Sequence, residues 1–254
     1  MSALIAISGK GGSGKTTVAA MTVRHLVERT GRSVLAVDAD PNTCLGATLG
    51  VEPETTVGEV RDAALDRTLQ TGPGMDRERA VEYAIHRAVA EAEGFDLLAM
   101  GHTEGPKCYC AVNHLLRKYL DQAADDYGFV VLDNQAGMEH LSRRTTDAVD
   151  HLIVVAEPTP LGAKTAERIL GLAERLPITI REKGVLWNKV IEGAATPPAA
   201  KNLPTIGHVP LDAHVQELSA RGGTIFELDA DNAAFRAVGS ILAELVNLTV
   251  TQSP

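Results

Sequence analysis

Long apolar runs are missing from this chain. No stretch reaches the ~18 consecutive apolar residues that a membrane-spanning helix needs, so no helical span is expected. Positive charge is also in deficit: 24 Lys and Arg stand against 33 Asp and Glu, a formal net charge of −9. That balance argues against non-specific binding to DNA or to an anionic membrane, although a local basic patch can survive it. Aromatic residues make up only 4%, which leaves the core to Ala, Val, Leu and Ile. Cysteine is limited to 3 residues. An odd, small number points to metal or redox chemistry more than to structural disulfides. The chain enters its first strand without the basic and apolar regions of a signal peptide, and a cytoplasmic protein is expected.

What is present has a regular rhythm. Apolar β runs, turns and amphipathic helices follow one another along 254 residues with 44% hydrophobic content. This predicts an α/β fold with a mostly parallel, doubly wound sheet flanked by helices, in a single domain over 1–254. Strands are expected at Ala3–Ile7, Ser33–Val37, Phe95–Met100, Phe129–Asp133, His151–Val155, Gly184–Trp187 and Thr205–Val209. Helices are expected at Thr17–Glu28, Asp76–Glu93, Val112–Asp126 and Asn232–Leu248. The Ala/Pro-rich stretch Gly193–Pro204 reads as an exposed connection.

The first βα junction carries Gly9-Lys10-Gly11-Gly12-Ser13-Gly14-Lys15-Thr16-Thr17, which satisfies the P-loop pattern G-x-x-x-x-G-K-[ST] in its proper strand-to-helix setting. Glycines let successive N–H groups curl around an anion, and the helix N-terminus adds positive potential. Gly11, Gly12, Ser13, Gly14 and Thr17 belong to this cradle. Lys15 is expected to reach the β- and γ-phosphates of ATP, and Thr16 to offer its hydroxyl to Mg²⁺. Asp38, Asp40 and Asp133 all end strand-like runs, which places them on the same sheet edge. They are the expected Mg²⁺ group, with Asp40 also placed to orient or deprotonate the attacking water. Asn188 and Pro210 follow two further strands and either wall the base or form simple strand-to-helix turns.

The second lysine, Lys10, is more than an ordinary P-loop needs. With it, the octet resembles the deviant Walker A motif of the MinD, ParA and nitrogenase iron-protein class. The resemblance implies a homodimer sandwiching two ATP molecules, with Lys10 reaching the partner's phosphates. A cation delivered in trans couples hydrolysis to assembly, as an arginine finger does.

Cys108-Tyr109-Cys110 adds a second chemistry. In an extended segment, residues two apart point to one side, so both sulfurs can meet one metal. Lys107 and a following helix would favour thiolates. Two copies across a symmetry axis give four soft ligands, suited to Ni²⁺ or Zn²⁺; small buried hydrophobes are the plainer alternative. The match extends through Asn113-His114-Leu115-Leu116-Arg117, Val37–Gly46 and Asp133–Arg144, and is similar to the CooC family, the ATPases of nickel insertion into carbon monoxide dehydrogenase. That resemblance implies a metallochaperone ATPase holding nickel at the dimer interface. Gln135 departs from the acidic residue or glycine of many relatives. A neutral amide can orient water but cannot act as a base, which predicts slow or differently controlled turnover. Cys44 reads as a buried structural cysteine rather than a third ligand. His102, His114 and His140 read as helix-surface or core histidines.

Two other functions fit parts of the pattern. A DNA- or membrane-positioning ATPase expects a basic tail, but Phe235–Pro254 holds a single Arg and no Lys. An iron–sulfur electron donor of this class expects well-separated cysteines rather than C-x-C. No nucleic-acid or membrane partner is therefore expected.

Overall fold

The computed structural model describes residues 2–66, 68–69, 76–101, 119, 126–134, 148–193 and 196–246. Seven apolar runs become parallel strands: β1 (Ala3–Gly9), β2 (Val34–Asp38), β4 (Phe95–Ala99), β5 (Phe129–Asp133), β6 (Ala148–Ala156), β7 (Thr179–Val190) and β8 (Thr205–Pro210). A short β3 (Val89–Glu91) pairs antiparallel with β4 at the edge. Together they form one eight-stranded sheet in the order β3-β4-β2-β5-β1-β6-β7-β8. The strands that precede β6 lie on one side of β1 and β6 to β8 on the other. The chain thus reverses direction at β1, where open α/β sheets bind ligands.

Side chains alternate across the sheet and build a core on each face. Ile5 and Ile7 of β1, with Val131 of β5, pack against α1 (Lys15–Thr30), α2 (Cys44–Leu49) and α7 (Ala233–Leu245). Ala6, Val130 and Leu132 face the opposite layer, built from α3 (Val57–Leu65), α4 (Arg77–Arg87) and α5 (Pro160–Ala173). β2 and β5 are buried along their whole length, as expected of parallel strands covered on both faces. Each fully buried Val, Leu or Ile contributes about 1.5–3 kcal/mol, so the central strands fix the sheet edge where the site is built. A further helix, α6 (Ala213–Ala220), follows β8 and starts on an Asp212 cap.

Three expectations need correction. The helix expected over Asp76–Glu93 ends at Arg87, and Val89–Glu91 turns back as strand β3. Pairing with β4 supplies its hydrogen bonds, a tertiary effect that local composition does not show. The Gly193–Pro204 connection is not wholly exposed: Ala200 and Leu203 are buried and face each other across a β-bridge. Cys44 is exposed at the first position of α2, because the buried positions there are Leu45, Gly46 and Leu49. The segment 102–118, with Cys108, Cys110, His102 and His114, lies outside the described residues, as do Gln135 and His140.

Candidate functional site

The phosphate loop leaves the C-terminal end of β1 and enters α1 through Gly14, the helix N-cap. Gly14 sits at φ 89°, and a Cβ there would lie 2.3 Å from the Asn188 amide nitrogen. Both facts demand glycine. No side chain caps this helix, so its first N–H groups stay available to an anion. Inside the loop the Ser13 N–H donates to the Lys10 carbonyl at 3.1 Å, closing a turn. Two side chains grip the loop from outside. Asn188 Nδ2 donates to the Ser13 carbonyl at 2.8 Å, and Lys189 Nζ to the Gly12 carbonyl at 2.6 Å.

The carboxylates arrive from neighbouring strands. Asp38 and Asp133 are register partners at the ends of β2 and β5, and both are completely buried. Asp133 Oδ2 accepts the Thr16 hydroxyl at 2.6 Å, while Oδ1 is buried without a hydrogen-bond partner among the described residues. Asp40 pairs with Lys15 Nζ at 3.2 Å through Oδ2, and its Oδ1 accepts both the backbone and side-chain N–H of Asn42. Asp38 holds backbone groups of the loop that follows β2. Its oxygens accept the backbone N–H groups of Asp40, at 3.1 Å, and Leu45, at 2.7 Å. It therefore ties down the loop that carries Asp40.

Lys15 pairs with Asp40 and acts electrostatically on Asp133, and the acidities of the three carboxyls diverge. Burial raises Asp40, but the Asn42 N–H and the Lys15 ammonium outweigh it and hold the carboxyl below its ordinary range. Burial pushes Asp38 up. Burial also pushes Asp133 up to about 7, against the favourable pull of Lys15 and Thr16. A buried, orphaned carboxylate oxygen beside a threonine hydroxyl is a hard-oxygen donor set that fits Mg²⁺.

Asp133 sets a pH dependence. Its pKa rises from 3.8 in the unfolded chain to about 7 in the fold. The nucleotide-free protein therefore retains a proton that the unfolded chain loses. The associated stability is full below pH ~4 and lost as pH rises through ~7. The stability advantage of Asp133→Asn over the native chain should grow between pH 5 and 7, by at most about 1.4 kcal/mol per unit. Above pH ~7 it should level off. Urea unfolding of both proteins across this range reads the effect, and a constant difference would contradict it.

A 470 Å³ cavity adjoins the loop, lined by Gly14, Thr17, Asn188, Pro210, Val215 and Gln216 among others. It brings the residues proposed for the base to the same place as the loop. Asn188 donates one of its two amide N–H groups to the Ser13 carbonyl. Lys10 stands exposed on the loop. Sequence reasoning gave no role to Lys189 or to its partner Glu157, 2.9 Å away. A polar pair at the ends of β6 and β7, on the edge that holds the loop, was the available signal.

Comparison with known proteins agrees with this geometry. Residues 4–225 match the CobQ/CobB/MinD/ParA nucleotide binding domain. An uncharacterized ATP-binding protein of Methanocaldococcus jannaschii is 38% identical over 253 residues, covering 96% of this chain and 98% of the relative. The carbon monoxide dehydrogenase accessory protein CooC of Rhodospirillum rubrum is 31% identical over 239 residues, covering 88% and 89%. Among solved structures, the septum site-determining protein MinD of Pyrococcus horikoshii, complexed with Mg-ADP, has a TM-score of 0.71 at 20% identity over the whole of both chains. A glycine cradle at the sheet's reversal point, a paired lysine and strand-end carboxylates, with these relatives, make the chain a member of the CobQ/CobB/MinD/ParA nucleotide-binding family and an ATPase.

Proposed function

We propose that this chain is an ATP-dependent metallochaperone that works as a homodimer. Its cargo is Ni²⁺, or Zn²⁺ by the same ligand chemistry, held by Cys108 and Cys110 of two chains and passed to a nickel enzyme of the carbon monoxide dehydrogenase type. The observation that carries this reading is the likeness to CooC along 88% of the chain. The C-x-C motif gives that likeness a chemical content, because two thiolates per chain become four across a two-fold axis.

ATP is bound by Gly11, Gly12, Ser13, Gly14, Lys15, Thr16 and Thr17. Magnesium, bound with ATP, supplies positive charge at the phosphates, and Thr16 and Asp133 would hold it. Lys15 exchanges Asp40 for the phosphates, which frees Asp40 to orient the attacking water. Asp38 keeps the Asp40 loop in register through its two backbone contacts. Lys10 supplies charge to the partner's nucleotide.

Neither DNA nor membrane is a partner in this reading. The net charge of −9 disfavours both. The apolar face of α7, including Phe235, Val238 and Leu242, is already buried in the core. Nickel-free carbon monoxide dehydrogenase, incubated with the nickel-loaded protein, should regain activity with ATP and regain much less with a non-hydrolysable analogue. Equal recovery under both conditions would contradict an ATP-driven transfer. Co-sedimentation with DNA or anionic liposomes, without effect on the enzyme, would favour a positioning ATPase instead.

A further inference from the structure

Lys189 occupies an unusual backbone position. It lies within β7 at φ 60°, in the left-handed region that a lysine rarely adopts. The pairing of β7 with β8 slips between Trp187 and Val190, so Lys189 sits in a β-bulge. Bulges re-aim side chains and cluster near functional sites, and strained backbone persists where the surroundings over-determine it. Here the re-aimed ammonium donates to the Gly12 carbonyl at 2.6 Å and pairs with Glu157 at 2.9 Å. Its neighbour Asn188 takes the next carbonyl of the loop, that of Ser13.

We infer that Lys189 is a positioning residue of the phosphate loop, an inference that rests on reading this loop as the triphosphate site. In a trans peptide the C=O and N–H point in opposite directions. Pinning the Gly12 carbonyl outward aims the Ser13 N–H inward, where it closes the turn onto the Lys10 carbonyl. Pinning the Ser13 carbonyl outward aims the Gly14 N–H toward the phosphate side. Asn188 and Lys189 thus hold successive peptide units of the cradle and brace the turn that carries Lys10. Glu157, at the end of β6, keeps the ammonium over its carbonyl. The Lys189–Glu157 pair is half-exposed and contributes little to stability. Its effect falls on loop orientation and hence on phosphate affinity.

The test compares native protein with Lys189→Met, Lys189→Arg and Lys189→Gly. Competition assays measure Mg-ATP and inorganic tripolyphosphate, with adenosine as a phosphate-free probe. Lys189→Met should weaken ATP and tripolyphosphate by the same factor, about tenfold, the scale of one charge-assisted hydrogen bond. Adenosine affinity should not change. Lys189→Arg, which keeps the charge and the donors, should recover most of the loss. Lys189→Gly should lose phosphate affinity while melting no lower than the native protein, because glycine accepts the positive φ. Weaker ATP with unchanged tripolyphosphate would overturn the inference and move Lys189 to the base or ribose. Unchanged affinity for both in Lys189→Met would also overturn it. Failure of the native protein to exchange tripolyphosphate against ATP would instead remove the loop reading on which it rests.

Discussion

Lys10→Ala is expected to leave Mg-ATP binding by a single chain nearly unchanged while lowering hydrolysis by about 10³-fold, the scale of a cation supplied in trans. The asymmetry follows from the two lysines' positions. Lys15 is almost buried, faces the strand-end carboxylates, and is already paired with Asp40 at 3.2 Å. Lys10 is exposed on the rim of the same loop. A rim lysine adds little to its own pocket but is available to a second chain. Removing it should therefore also lower the ATP-dependent dimer population, measured by sedimentation, in parallel with phosphate release. Hydrolysis at the native rate by a Lys10→Ala dimer would show that Lys10 does not act in trans. The equivalent change at Lys15 should abolish nucleotide binding itself, which separates the two roles.

Cys108→Ala should eliminate tight Ni²⁺ or Zn²⁺ binding, taking the stoichiometry from one ion per two chains to none. Loss of a direct ligand costs more than loss of an outer-shell partner, itself worth about 10–100-fold. Cys110→Ala should behave alike, because both thiolates of each chain are needed to close a four-ligand site. Cys44→Ala is the internal control. Cys44 is exposed at the first position of α2, where partial burial and then the Asp38 and Asp40 carboxylates push its thiol up, away from the thiolate that a soft metal needs. Its removal should leave metal binding intact. Loss of metal in Cys44→Ala, with binding retained in Cys108→Ala, would relocate the site to the nucleotide loop.

Much of this architecture was legible because the signals are local. Short apolar runs rich in Val and Phe, such as Phe129–Leu132, favour buried strands by length and composition, and a glycine-rich turn before Lys15 has few other uses. Strand-end aspartates fall on the loop's edge by topology alone, and Asp38 and Asp133 stand side by side in register. The division of labour among them was not legible. Whether a carboxylate meets a metal, an ammonium or a backbone N–H depends on how the next loop folds back. Leu45 returning its N–H to Asp38 is a tertiary event. Strand β3 was hidden for the same reason, since Val89-Ala90-Glu91 is held by pairing with β4 rather than by its own pattern. Lys189 and Glu157 stand out as a polar pair at strand ends, but the aim of the ammonium at the loop depends on the bulge in β7. A lysine one residue earlier or later on a regular strand would point elsewhere. Cys44 misled because cysteine is so often buried.

The proposed function has one dimer couple ATP to a metal site. It is tested most directly by titrating Ni²⁺ into the anaerobic protein with and without a non-hydrolysable ATP analogue. The expected result is one ion per two chains and a Ni²⁺ affinity that shifts with the analogue. Linkage then requires Ni²⁺ to shift the analogue's affinity by the same factor. Absence of stoichiometric Ni²⁺ or Zn²⁺ binding, or one metal affinity in both nucleotide states, would contradict it.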